Sequence, residues 1–134
     1  MPRMIFVNLP VKDLKRSKDF SSGLGFEFNE QFTNDDAAFM VVNELAAVML
    51  VSEPFFDTFS DKAIADSSTH YEVSTAVSLG SKAEVDEIGQ KALATGGSVS
   101  KPPSDDDFIY SRSFLDPDGH LWDVHWMDPT AVEG

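Results

Sequence analysis

Apolar and polar residues alternate along several stretches of the chain, and this two-residue period predicts strands. From Met4 to Leu9, residues Ile5, Val7 and Leu9 share one face, while Phe6, Asn8 and Pro10 share the other. Further strands are predicted at Phe26–Phe32, Ala37–Val42 and Leu45–Val51, the last two joined by the short connection Asn43-Glu44. Asp13 is placed to cap a helix from Leu14 to about Ser22, with Gly23 and Gly25 as its stop signal. The order is βαβββ.

The same order returns in the second half. Val73–Leu79 reads as a strand, and Ser81 with Glu84 three residues later makes a capping-box pattern. Val85, Ile88, Ala92 and Leu93 then form the apolar face of a helix that Gly96-Gly97 ends. A short strand at Ser98–Ser100 is followed by a loop from Lys101 to Asp107, whose acid run Asp105-Asp106-Asp107 lacks the spacing of a calcium-binding loop and reads as solvated.

Two closing strands meet at a tight turn, where Pro117 presets the backbone, Asp116 accepts from the chain two residues on, and Gly119 takes a left-handed conformation. In the last strand Trp122, Val124 and Trp126 form a core face, and Leu121, Asp123, His125 and Met127 face the other way. The chain thus reads as module one at about 1–52, a connecting segment at 53–72 and module two at about 73–128, within one domain over 1–134. Phe55, Phe56 and Phe59 in the connecting segment are too apolar for a solvated loop and are expected to pack on their own core or on a partner chain.

Charge narrows the partners. Ten basic residues against 23 acidic ones give a formal charge of −13, which repels phosphate backbones and anionic lipid surfaces, so neither nucleic acid nor membrane is expected as a partner. A strongly anionic substrate is disfavoured too, unless a local cation such as Arg112 offsets the field. With no cysteine, disulfides, thiolate metal sites and cysteine nucleophiles are excluded. The opening residues run straight into a strand without the pattern of a signal peptide, and no apolar run approaches the roughly 20 residues of a membrane span, so a cytoplasmic protein is expected.

The run Phe114-Leu115-Asp116-Pro117-Asp118-Gly119-His120-Leu121-Trp122-Asp123 resembles the vicinal oxygen chelate superfamily, which includes glyoxalase I, bleomycin-resistance proteins and extradiol dioxygenases. Val7-Asn8-Leu9-Pro10-Val11-Lys12-Asp13-Leu14 and Gly23-Leu24-Gly25-Phe26 support the resemblance, which covers nearly the whole chain. It implies an α+β fold of two tandem βαβββ modules forming a cupped mixed sheet, and a homodimer.

It also implies a place for a divalent metal, held in the superfamily by His or Glu from the first strand, Glu from the fourth, His from the fifth and Glu from the eighth. The matching positions here are Phe6, Met49, Ser74 and Asp123, of which Asp123 alone is a carboxylate. A phenyl ring cannot coordinate, and a thioether and a neutral hydroxyl are poor ligands for such ions, so no metal cofactor is expected.

The resulting expectation is a small-molecule binder for a partly apolar or aromatic ligand, on the bleomycin-resistance side of the family. Phe6, Met49 and Tyr110 would supply contact area, and Asn8, Ser74, Arg112, Asp123 and His125 polarity. The alternative is a glyoxalase-like lyase or isomerase, or a dioxygenase, using Asp123 and His125 as catalytic groups with or without a weakly bound divalent metal.

Overall fold

The structure, a computed structural model, describes residues 3–105 and 108–132. It divides into two compact units, Met1–Ala65 and Asp66–Gly134.

The first unit contains β1 (Ile5–Val11), α1 (Leu14–Gly23), β2 (Glu27–Phe28), β3 (Ala37–Asn43), β4 (Ala46–Ser52) and the short α2 (Glu53–Phe56). Its sheet has the order β1-β4-β3-β2, with β1 parallel to β4 and the other pairs antiparallel. Asp13 caps α1 as predicted, accepting from the Arg16 amide at 3.1 Å. Phe20, Leu24, Leu9, Val11, Met40, Val48 and Leu50 are buried, each contributing about 1.5–3 kcal/mol by leaving water.

The strand expected at Phe26–Phe32 shrinks to two residues. Asn29 accepts from the Gln31 amide at 3.1 Å and opens a 3-10 turn over Glu30–Phe32, a side-chain cap that competes with strand pairing. The connecting segment also has more structure than expected. Another 3-10 turn, Asp57–Phe59, follows α2, and the Phe59 ring lies 5.4 Å from the ring centres of both Phe55 and Phe56.

The second unit contains β5 (Ser74–Ser78), α3 (Lys82–Ala94), β6 (Ser98–Val99), β7 (Ser104–Asp105), β8 (Ile109–Leu115), β9 (Leu121–Met127) and α4 (Pro129–Val132). Its sheet has the order β5-β9-β8-β6, with β7 also paired to β8 and β5 parallel to β9. The βαβββ order therefore recurs, as the sequence predicts, with β7 added inside the expected 101–107 loop. Asp106 and Asp107 of the acid run lie outside the described residues.

Ser81 caps α3, accepting from the Glu84 amide at 3.2 Å. The buried face of α3 is Val85, Gly89 and Ala92; Leu93, expected on that face, is 39% exposed. Val77, Phe114, Trp122 and Val124 complete this core. No helix among the described residues is long and apolar enough to cross a membrane.

Candidate functional site

In the first unit, strand register decides which side chains leave the core. Asn8 lies opposite Met49, and Met49 opposite Phe39, forming one row across β1, β4 and β3. The alternate positions, Leu9, Leu50 and Ala38, form a buried row on the opposite face. Phe6 meets Phe39 edge-on with ring centres 5.6 Å apart, and Phe32 lies 6.0 Å from Phe39. Phe6 is 44% and Phe32 59% exposed, so Phe39 is flanked by two rings with free surface. Phe6, Asn8 and Met49 thus share the face turned from the core, as expected, and Phe39 and Phe32 join them.

In the second unit, Asp123 and His125 also share the face opposite the core, with Asp123 Oδ1 3.5 Å from His125 Nδ1. Asp123 lies between Ala76 of β5 and Ser113 of β8, and His125 between Ser78 and Ser111. The imidazole and carboxylate are therefore bordered by hydroxyl groups. Ser74 faces Leu121, one row away from the carboxylate.

Tyr110 and Arg112 do not join this face, which corrects the sequence expectation. Counting from the turn, Leu115 pairs with Leu121, so Arg112 pairs with Val124 and Tyr110 with Trp126, on the side covered by α3. The Tyr110 hydroxyl donates to Asp86 Oδ1 at 2.5 Å, and Arg112 Nη1 donates to the Asp86 carbonyl at 3.2 Å. The Asp86 carboxylate, by holding the phenolic proton, raises the Tyr110 pKa. The side chain of Arg112 is only 16% exposed. Lys82 covers the same side, its ammonium 5.6 Å from the Tyr110 ring centre and 5.7 Å from that of Trp126.

The β8–β9 turn is organised by a residue whose weight the sequence understated. Asp116 Oδ1 accepts from the amides of Asp118 and His120 at 2.9 and 3.0 Å, and Oδ2 accepts from the Trp122 indole at 3.0 Å. Asp116 is 8% exposed, and burial raises its pKa from the ordinary aspartate value. His120 is buried beside it, in keeping with a local structural role.

The four positions matched to a metal site are Phe6, Met49, Ser74 and Asp123. In β register Phe6 faces Ala47, one row from Met49, and Ser74 faces Leu121, one row from Asp123. Among the described residues no three His, Cys, Asp or Glu side chains gather as a metal would require. The donor set, one carboxylate with a phenyl, a thioether and a hydroxyl, does not fit a tightly held divalent ion. An open groove of 490 Å³ in the first unit, lined by Lys12, Glu53, Pro54, Asp57, Ala63 and Ile64, contains none of the predicted site residues.

A family model described as the Glyoxalase/Bleomycin resistance protein/Dioxygenase superfamily matches residues 3–124. Similar solved structures include a hypothetical protein from S. aureus, 26% identical with a TM-score of 0.80, covering 94% of this chain and 95% of that one. A glyoxalase-related enzyme from Fulvimarina pelagi is 20% identical with a TM-score of 0.77, covering 94% and 88%. The fosfomycin resistance protein FosX from Mesorhizobium loti is 15% identical with a TM-score of 0.70, covering 100% and 99%. No curated protein matches.

Proposed function

The chain belongs to the glyoxalase/bleomycin resistance protein/dioxygenase superfamily, and from that premise we propose that it binds a small, partly aromatic or apolar molecule without the superfamily's metal. The observation that carries the reading is the cluster of Phe6, Phe39 and Phe32 on a sheet face that also carries Asn8 and Met49. Edge-on rings with free surface offer an aromatic ligand a preformed contact, and a neighbouring amide adds orientation. Asp123 and His125, with their serine neighbours, give the second unit's face the polar character expected of such a protein.

Titration with a neutral aromatic probe, naphthylethanol, followed by two-dimensional amide NMR, tests the reading. Shifts at Phe6, Asn8, Phe39 and Met49, with affinity about fivefold lower in Phe6→Ala, are expected from the loss of one aromatic contact. Saturating probe without shifts on this face would sink the reading.

A second reading is favoured by the 3.5 Å approach of Asp123 to His125. In a glyoxalase-like lyase or isomerase, or a dioxygenase, His125 would move a proton while Asp123 orients the ring. Turnover lost in both Asp123→Asn and His125→Ala supports it; unchanged turnover in both removes these residues from the chemistry.

The proposal also includes a cytoplasmic homodimer, with Phe55 and Phe59 as the interface rings because each keeps exposed apolar surface. A single-chain mass by light scattering at micromolar concentration would contradict it.

A further inference from the structure

We infer that the ligand group recognised at Asp123 is a cation, an ammonium or protonated amine, and that carboxylate, phosphate and phosphonate groups are refused there. The inference rests on the small-molecule reading above and deepens it by assigning the charge class of the ligand.

The argument comes from where the second unit's cations go. Arg112, the cation expected to receive an anionic ligand, lies under α3 against Asp86. Lys82 lies over the Tyr110 and Trp126 rings, with its ammonium 3.7 Å from Asp105, whose register with Tyr110 sets it on that same side. Lys91 pairs with Glu87 along α3 at 2.9 Å. Lys101 falls in the connection between β6 and β7, outside the strands.

The opposite face of this sheet therefore carries no lysine or arginine on any described strand. Its permanent charge is Asp123, and the neighbouring His125 is charged only when protonated.

The immediate surroundings suit an ammonium. Ser113 lies directly across from Asp123 on β8, and Ser111 across from His125, so serines border both groups on this face. An ammonium has three donors and no acceptor, which a carboxylate oxygen and neighbouring hydroxyls can satisfy together. Ala76 on the other flank offers only a methyl group, which leaves room beside the carboxylate. Leu115 and Leu121, paired in the next row, supply apolar surface for the rest of an amine-bearing molecule. An anion in the same position meets a like charge, and no lysine or arginine on that face of the described strands offsets it.

The test uses three probes on one skeleton, naphthylethylammonium, naphthylethanol and naphthylpropionate, titrated at neutral pH and moderate salt and followed by amide NMR shifts along β8 and β9. The ammonium is expected to bind about tenfold more tightly than the carboxylate, with the alcohol between them. In Asp123→Asn the three affinities converge to within about twofold. That variant removes one of 23 acidic residues, so attraction from overall charge persists while the local preference disappears.

The inference is overturned if the carboxylate binds as well as the ammonium, or if the ammonium preference survives in Asp123→Asn. Alcohol binding without ammonium preference overturns the charge assignment alone, whereas no binding by any of the three overturns it together with the small-molecule reading.

Discussion

Gly89 and Arg112 occupy one space: a Cβ added to Gly89 would stand 2.8 Å from Nε and 2.9 Å from Cζ of Arg112. The missing side chain on α3 lets a guanidinium lie in the helix–sheet layer, where the Asp86 carbonyl accepts from it. This pairing makes room for Arg112 on the α3 side of the sheet, where its register with Val124 sets it, and it gives the glycine a packing reason inside a helix where alanine is otherwise preferred.

The pair predicts a sign change in a double-mutant cycle. Gly89→Ala alone should destabilise by about 1–3 kcal/mol through overpacking against a pinned side chain. In the Arg112→Ala background the obstacle is gone, and the same change should become neutral or stabilising by up to about 1 kcal/mol from helix propensity. Urea unfolding of the four proteins measures the coupling; additive effects would show that the two residues do not share the space.

Asp116 predicts a pH signature. Its folded pKa is raised by burial, so the folded state holds the proton more tightly than the unfolded chain does. This contribution is fully present below the ordinary aspartate range of about 4 and is lost as pH rises through the raised folded value. Asp116→Asn lacks it, and the amide also presents a donor to the Trp122 indole or to the backbone amides, costing about 1–3 kcal/mol. The stability gap between wild type and variant should therefore narrow from acid toward neutral pH in thermal melts. A gap that widens instead would contradict the direction of the shift.

The turn also fixes the start of the second unit. Ser67 Oγ donates to the Asp118 carbonyl at 2.5 Å, and a Cβ on Gly119 would stand 2.5 Å from the Ser67 carbonyl oxygen. Gly119 has φ +88°, a conformation costly for any other residue. Gly119→Ala should thus combine backbone strain with a backbone clash, destabilising by more than the roughly 1 kcal/mol of the conformational term alone. Hydrogen exchange should quicken at His70, whose amide bonds to the Asp66 carbonyl in the segment displaced by the clash. Unchanged exchange there would separate the turn from the segment.

The element order was legible because alternation and caps are local: Asp13, Ser81 and the Asp116–Gly119 turn each act within four residues. The face of Asp123 and His125 was legible for the same reason. Tyr110 and Arg112 were misplaced because their face depends on pairing with β9, although counting outward from the turn to Leu115 and Leu121 carries that information. Phe39 and Phe32 were missed because the ring cluster forms only when Phe39 meets Phe6 from a strand that is not its neighbour in the sheet and Phe32 from a turn. Gly89 stood inside a predicted helix, where only the three-dimensional position of Arg112 gives it meaning.

The donor set makes the last prediction. Phe6, Met49, Ser74 and Asp123 offer one charged oxygen ligand, and register sets Phe6 opposite Ala47 and Ser74 opposite Leu121. A divalent ion bound to the folded state would stabilise it by mass action, and its removal would lower Tm. Purified, tag-free protein is therefore expected to keep well below one metal per chain after dialysis, by plasma mass spectrometry, including after reloading with nickel, zinc, iron or manganese. Treatment with a chelator should leave Tm within about 1 °C of its starting value, as expected where a single carboxylate among the four positions holds no ion tightly. Near-stoichiometric metal that survives dialysis would overturn the donor argument. Asp123→Asn would then tell whether the one carboxylate at the matched positions is a ligand, since its loss should release the ion.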